Sequence, residues 1–205
     1  VLQFDGVDDY AEVAYNALFN FERTDSFSMV ARIRVSAIST TEIVFEKYGA
    51  AANNPGYRLV LDTTGQVRVA LVDSGGGACT VDSDAEIDDG AWHTIGFTYA
   101  GTSLASGVKV YIDGVAVAMT TIYDTLAASI QGADNILFAR RGTGYNDVDI
   151  ADAHLYKRAL TASEMLRLHY CVPISTTNLI ARWKFDEGTG GTAADSSGNA
   201  LNAAI

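Results

Sequence analysis

The chain has 205 residues, a formal net charge of −11, 48% apolar residues and only two prolines. This length fits one large domain, and the apolar content supports a substantial core, which excludes a disordered chain. The acidic balance argues against a nucleic-acid partner, because phosphate binding requires clustered Lys and Arg. It favours neutral sugars, metal cations or basic partners, and it disfavours anionic glycans unless a local basic patch exists.

No apolar run approaches the roughly 18 residues of a membrane span, so we expect no insertion into a membrane. The chain begins at Val1 without a charged-then-apolar leader, and we expect that a leader, a propeptide or upstream domains have been removed. Two cysteines are present, Cys79 and Cys171. One disulfide in an oxidising compartment and two buried free thiols fit them equally well.

Short segments of alternating apolar and polar residues recur along the chain and predict β-strands. The clearest runs from Phe27 to Val35, and further strands are predicted near residues 57–62, 67–71 and 95–99. Asp113-Gly114 lies between two apolar runs and predicts a tight hairpin, because Gly tolerates the positive φ of that turn. Trp92 begins a strand, where its ring is expected to seal the edge of the core.

One segment predicts a helix. Thr161 and Glu164 have the spacing of a capping box, in which Thr161 caps the first turn and Glu164 reaches back. Leu160, Met165 and Leu168 are then expected to face the core. Many strands, one short helix and no alternation of strands with helices predict an all-β fold, an antiparallel two-sheet sandwich.

Seven phrases spread over nearly the whole chain carry a family resemblance. They are LQFDGVDDY (2–10), FSMVARIR (27–34), DGAWHTIGFT (89–98), VYIDGV (110–115), IADAHLYKRAL (150–160), ARWKFDEGTG (181–190) and DSSGN (195–199). Together they resemble the laminin G-like branch of the concanavalin A-like lectin/glucanase superfamily. The resemblance implies a jelly-roll sandwich formed by residues 1–205 as a single domain.

The order of these phrases departs from the family, in which the FDEGTG and DSSGN segments come before the LQFDG strand. Here they come last. We expect residues 179–205 to supply a displaced first strand, because a sandwich without it would expose an unpaired apolar edge. Three arrangements are compatible with this: a circular permutation closed in cis, the start of a further repeat, and donation of the strand to a neighbouring molecule.

The resemblance also implies a structural calcium ion where the DSSGN loop meets the first and last strands. Its expected ligands are Asp195, Asn199 and the carbonyl near Ser197, with Asp152 as a further carboxylate. The family often carries an acidic residue where this chain has Ala151, which weakens the case for Asp152. The carboxylates of Asp5, Asp8 and Asp9 flank a glycine in a turn, which Asp favours without any ligand.

Catalysis is not expected. Asp84, Glu86 and Asp88 alternate, but related glucanases carry the order Glu-x-Asp-x-Glu, which is absent here. The Asp-Asp-Gly turn that follows favours a solvated loop. Nor does any GxSxG nucleophile motif accompany the three histidines.

Sugar binding requires an exposed aromatic ring beside planar hydrogen-bonding side chains. The candidates lie in or near Gly- and Asn-rich loops, including residues 50–56 and 142–146, where binding sites of sandwiches usually lie. Tyr145 is the first choice. The other candidates are the aromatic residues Tyr57, Tyr48 and Tyr123 and the polar residues Asn146, Arg141, Asn54 and Asn53.

Two functions fit these motifs and candidate residues. The first is a non-catalytic module that binds carbohydrate or glycoprotein on a secreted or surface-exposed protein. The alternative is a structural or adhesive subunit, such as a phage tail, fibre or capsid-decoration protein or a surface filament, assembled as a homo-oligomer through residues 179–205. Either function implies an extracellular, cell-surface or virion-surface location.

Overall fold

The computed structural model describes residues 1–36, 38, 40–48 and 54–205. Most of the predicted loop at residues 50–56, including Asn53, lies outside these residues. The strands in chain order are β1 (Leu2–Asp5), β2 (Ala11–Val13), β3 (Phe27–Arg34), β4 (Glu42–Lys47), β5 (Gly56–Leu61), β6 (Gln66–Val72), β7 (Ala78–Glu86), β8 (Trp92–Tyr99), β9 (Val108–Ile112), β10 (Val115–Ala116), β11 (Met119–Asp124), β12 (Ile136–Phe138), β13 (Arg140–Arg141), β14 (Gly144–Tyr145), β15 (Asp147–Tyr156), β16 (Leu179–Trp183), β17 (Thr192–Ala193) and β18 (Ala203–Ala204).

The strands form two large antiparallel sheets and a small hairpin of β13 and β14. The seven-stranded sheet has the order β1-β15-β3-β8-β9-β10, with β16 also paired to β15. The nine-stranded sheet has the order β11-β7-β6-β5-β4-β12-β2-β18-β17. The predicted all-β sandwich is therefore confirmed.

Alternation along the strands explains how the sheets pack. In β3, Phe27, Met29, Ala31 and Ile33 are buried in the main core, while Arg32 and Arg34 face away from it. The predicted hairpin at Asp113-Gly114 joins β9 to β10, and both residues have positive φ, 52° and 77°. Positive φ at both central residues is the backbone conformation that a two-residue type I′ turn requires.

The single α-helix among the described residues, α1 (Ala162–His169), covers part of the seven-stranded sheet. Its capping box is present as predicted: Glu164 N donates to Thr161 Oγ1 at 3.2 Å, and Thr161 N donates to Glu164 Oε2 at 2.9 Å. Met165 is buried in a small second cluster with Val30 and Leu160 on the outer face of that sheet. No helix in the described part of the chain has the length and apolar character needed to cross a membrane.

Residues 179–205 contribute to both sheets of the same chain. β16 pairs with β15 along Ala153–Tyr156, and β18 joins β17 to β2. Trp183 is fully buried, and its Nε1 donates a hydrogen bond to the carbonyl oxygen of Leu201 at 2.6 Å. Trp92, in contrast, is half-buried on the outer face beside the guanidinium groups of Arg32 and Arg34. The expectation that Trp92 seals the core was wrong, and Trp183 fills the core instead.

Candidate functional site

Asp195, the first predicted calcium ligand, uses both carboxylate oxygens to hold its own loop. Oδ1 accepts hydrogen bonds from the backbone N–H groups of Arg182 at 3.0 Å and Ser197 at 2.8 Å. Oδ2 accepts from the Ser197 hydroxyl at 2.7 Å and from Leu201 N–H at 3.1 Å. Burial raises the pKa of Asp195, but these backbone donors outweigh it and lower the pKa below its usual value.

The side chains of the other three predicted ligand residues, Asn199, Ser197 and Asp152, are also bonded to protein groups. Asn199 Nδ2 donates to the carbonyl oxygen of Ile180 at 2.8 Å, and Ser197 Oγ lies 2.9 Å from the same oxygen. The Asp152 carboxylate accepts from Arg182 Nε at 3.1 Å and Nη2 at 2.8 Å, and it lies 3.0 Å from His154 Nε2. Burial acts to raise the pKa of Asp152, yet the hydrogen bonds from His154 and Arg182 lower it to about 2.

This arrangement does not fit a calcium site. Calcium takes six to eight oxygen ligands, whereas four N–H and O–H donors already occupy the two oxygens of Asp195. Among the described residues, Asp5, Asp8 and Asp9 alone form a group with metal-ligand spacing, and all three are exposed. Exposed Asp residues beside a turn glycine need no ion.

Two of the predicted sugar-binding residues lie in the interior. Tyr57 is fully buried, donates its hydroxyl to the carbonyl of Phe19 at 3.0 Å, and has a pKa raised by burial. Asn146 is 6% exposed, accepts from Ile43 N–H at 2.9 Å and donates to the Thr41 carbonyl at 3.1 Å. Both side chains are committed to structural hydrogen bonds, so neither is available to a ligand.

Four of the remaining predicted residues are half-buried: Tyr145 and Arg141 in the hairpin of β13 and β14, and Tyr48 and Asn54 on either side of the undescribed residues. Tyr145 lies 6.1 Å from the ring of Tyr10, and the Arg140 guanidinium contacts both rings at 5.6 Å and 4.2 Å. Arg141 contacts the ring of Tyr48 at 4.9 Å. Asn54 is half-buried and lies just after the residues that are not described.

The structure assembles a cavity of about 260 Å³ beside Tyr48, on the outer face of the nine-stranded sheet. Here β4, β12 and β2 lie side by side, so Leu137 is paired with both Glu46 and Glu12. We name this cavity the Tyr48 cavity. It is lined by the Tyr48 ring and by polar groups from separate segments: Glu12, Asp134, Asn135 and Arg140, together with Leu137 and Gly142.

Buried charges lie around the Tyr48 cavity. The Arg58 guanidinium contacts the Tyr48 ring at 5.1 Å, and Glu46 pairs with Arg58 across β4 and β5. Glu46 is fully buried, and neither of its carboxylate oxygens has a hydrogen-bond partner among the described residues. Burial raises the pKa of Glu46 to about 7, although Arg141 and Arg58 act to lower it, and burial lowers the pKa of Lys47 to about 8.

The carboxylates considered for catalysis are placed differently from the prediction. β7 extends to Glu86, so Asp84 and Glu86 lie on a strand rather than in the expected loop, and both are exposed.

Cys79 and Cys171 are not bridged: Cys79 is buried, while Cys171 is exposed.

The family model described as Concanavalin A-like lectin/glucanases superfamily, a laminin G-type model, matches residues 5–165. The chain therefore belongs to this superfamily, and the resemblance drawn from its motifs is confirmed. No curated protein matches the sequence significantly.

Three solved structures share the fold. A candidate carbohydrate-binding protein of Bacteroides ovatus ATCC 8483 superposes with a TM-score of 0.68 at 14% identity, over 99% of this chain and 58% of that one. A heptameric SAP-like pentraxin of Limulus polyphemus superposes with a TM-score of 0.61 at 14% identity, over 96% of this chain and 91% of the pentraxin chain. The CBM40 of a Ruminococcus gnavus IT-sialidase, bound to α2,3 sialyllactose, superposes with a TM-score of 0.58 at 14% identity. The match covers 82% of this chain and 98% of the CBM40 chain. The TM-scores show a common fold, and at 14% identity the likeness extends no further than the fold.

Proposed function

We propose that this domain is a non-catalytic module that binds a carbohydrate or glycoprotein through the Tyr48 cavity. The observation that carries the proposal is the convergence of one aromatic ring and several planar polar side chains in one cavity. Ligand sites typically combine an apolar or aromatic wall with a few polar groups that fix orientation. Sugars match such a wall because their rings present C–H faces beside hydroxyl groups.

Each polar group has a role that its chemistry allows. The guanidinium of Arg140 donates hydrogen bonds in a fixed plane, and the carboxylates of Glu12 and Asp134 accept them from hydroxyl groups. Asn135 Nδ2 donates to Glu12, and its Oδ1 accepts from Tyr15 N–H at 2.8 Å, which holds this side of the cavity in place. The sialyllactose bound to the CBM40 of the Ruminococcus sialidase supports the same class of ligand, and so does the candidate carbohydrate-binding protein of Bacteroides.

The location proposed for the domain is extracellular, on a cell surface or on a virion surface. The alternative role, a structural subunit assembled by donation of residues 179–205, is the weaker proposal. The strands of this segment already pair with β15 and β2 of their own chain. Homo-oligomers or filaments would therefore require either another surface or an exchange of this segment.

A glycan array followed by calorimetry tests the binding proposal. We expect Tyr48→Ala to weaken the best glycan by about tenfold, the magnitude of a lost aromatic contact with its buried area. Tyr170→Ala is the matched control, because Tyr170 is 67% exposed and follows helix α1 on the other sheet. Equal binding by both variants, with unchanged melting curves, would exclude the Tyr48 cavity as the site.

A further inference from the structure

A second cavity, of about 270 Å³, lies on the opposite side of the molecule, against the outer face of the seven-stranded sheet beside α1. Arg32 of β3 pairs with Asp152 of β15, and His154 of β15 pairs with Arg182 of β16, so these side chains share one face. We name this cavity the Arg32 groove. Cys171, Lys184 and Asp186 also line it, and Val30 and Leu168 add apolar surface.

The Arg32 groove carries an excess of positive charge in a chain whose net charge is −11. Arg182 is neutralised by its two hydrogen bonds to Asp152. Arg32 has no carboxylate partner among the described residues; its one polar contact is with Cys171 Sγ at 3.7 Å. Lys184 is exposed and has no ion pair or hydrogen bond within the described ranges. Two cations are thus available, with Asp186 as the exposed carboxylate at the rim.

A buried histidine supplies a second, independent feature of the Arg32 groove. His154 is 4% exposed and lines the groove, while its Nε2 lies 3.0 Å from Asp152. Nδ1 has no hydrogen-bond partner in the part of the chain that is described. Because the Asp152 carboxylate only accepts hydrogen bonds, Nε2 carries a hydrogen, and in the neutral form of the ring Nδ1 is a buried acceptor. Burying an unpaired acceptor costs free energy, so a donor group from a ligand would be favoured there.

We propose that the Arg32 groove binds a sugar acid, meaning a sugar ring that carries a carboxylate beside its hydroxyl groups. The carboxylate pairs with Arg32 and Lys184, since a guanidinium matches the two oxygens of a carboxylate. A ring hydroxyl donates to His154 Nδ1, and the C–H face of the ring packs on Val30 and Leu168. A cavity of this size lies just below the roughly 300–1,000 Å³ of sites for larger ligands, which suits one ring.

The Arg32 groove shares neither its face of the molecule nor its residues with the Tyr48 cavity. Arg32 is far in the sequence from Arg182 and Lys184 and meets them only through the pairing of β3, β15 and β16. They form the kind of local basic patch that the composition of an acidic chain does not reveal. The net charge therefore does not exclude an anionic sugar at this groove.

Cys171 provides a direct readout of occupancy. It lines the Arg32 groove and is exposed, whereas the other cysteine, Cys79, is buried, and burial raises its pKa to about 12. A neutral maleimide should therefore react with Cys171 first. We expect glucuronate to slow this reaction at low ionic strength, and glucose at the same concentration to leave the rate unchanged. Equal rates with glucuronate, glucose and buffer would overturn the proposal. The comparison extends to sugar concentrations about 50-fold above a millimolar Kd, which saturate a site of that affinity.

Variants and competing anions locate the contact. We expect Arg32→Ala combined with Lys184→Ala to weaken glucuronate binding, measured by NMR titration, by about tenfold or more, as for lost charged hydrogen bonds. Lys109→Ala is the control, because Lys109 is an exposed lysine on β9 of the same sheet. Tyr48→Ala should leave glucuronate binding unchanged, which separates this test from that of the proposed function. If phosphate or sulfate protects Cys171 as well as glucuronate does, the groove is a general anion site and the sugar-acid proposal fails.

Discussion

The amino group of Val1 donates a hydrogen bond to the carbonyl oxygen of Phe185, 184 positions later in the chain. This contact joins two strands that occupy the same edge of β15: β1 pairs with residues 147–150, and β16 pairs with residues 153–156. The two strands therefore follow one another as a single edge strand would. We propose that residues 179–205 are the displaced first strand of the sandwich, closed in cis.

Deletion of residues 179–205 is expected to abolish the cooperative thermal transition. The deletion removes β16 and leaves half of the edge of β15 unpaired, with its backbone N–H and C=O groups exposed. It also removes buried side chains from the main core: Ile180, Ala181, Trp183, Phe185, Ala193, Leu201 and Ala203. Circular dichroism on heating measures the effect, and a soluble deletion variant with the melting curve of the full chain would contradict the proposal.

Trp183→Ala is the milder form of the same test. Trp183 is fully buried against Phe45 and Phe138, with ring centroids 5.7 Å and 5.3 Å away. Removing such a ring is expected to lower the free energy of unfolding by about 3–5 kcal/mol. Trp92→Ala, at a half-buried position on the outer face, should cost clearly less in the same denaturant titration. A loss for Trp183→Ala that is as small as that of an exposed substitution would show that residues 179–205 contribute little to the core.

Local patterns were sufficient to predict strand β3, the hairpin of β9 and β10, and the helix cap. The alternation from Phe27 to Ile33 predicted which side chains face the core, and the Thr161–Glu164 spacing predicted the capping box. These features depend on residues a few positions apart, so a single sequence contains the necessary information.

The candidate sites depend on contacts between distant segments, and here prediction from sequence was weaker. Loop composition pointed to Tyr57 and Asn146, but neither alternation nor turn residues show that both side chains bond to the backbone of other segments. Nothing in the sequence distinguishes Tyr48 from the other tyrosines near loops, because its contacts with Arg58 and Arg141 arise from the packing of β4 against β5 and β12. The presence of a tyrosine beside the end of a strand was the one signal available.

The lowered pKa of Glu164 predicts that the domain loses stability in acid. Hydrogen bonds from Arg158, at 2.7 Å and 2.9 Å, lower its pKa to about 2 from an ordinary value of 4.5, against the opposing effect of burial. Since the folded pKa lies below the unfolded one, this stabilisation is complete above about pH 4.5 and is lost as pH falls through 2. We expect Glu164→Gln to lower the free energy of unfolding by about 2 kcal/mol at pH 7 and by much less near pH 2.

The control for this comparison is Glu86→Gln, which removes the same charge from an exposed position. A loss for Glu164→Gln that is independent of pH would show that the ion pair with Arg158 does not account for the effect.

The raised pKa of Glu46 predicts the opposite dependence of stability on pH. Burial raises its pKa to about 7, so the folded state keeps a proton that the unfolded state has already released. Its destabilising effect is absent below about pH 4.5 and grows as pH rises to about 7. We expect Glu46→Gln to raise the melting temperature at pH 8 and to change it little at pH 4. A variant that is destabilised at pH 8 but not at pH 4 would show instead that the ionised carboxylate has favourable partners.

Calcium removal is expected to leave stability unchanged. The oxygens of Asp195 are saturated by N–H and O–H donors from residues 182, 197 and 201, and Asp152 is held by Arg182. Binding an ion there would require breaking these bonds first, so the net gain in free energy would be small. Melting temperatures in excess EDTA and in millimolar calcium should therefore agree. A clear rise with calcium that is lost in Asp195→Asn, but kept in Asp8→Asn, would show that the loop rearranges around the ion as the family resemblance implies.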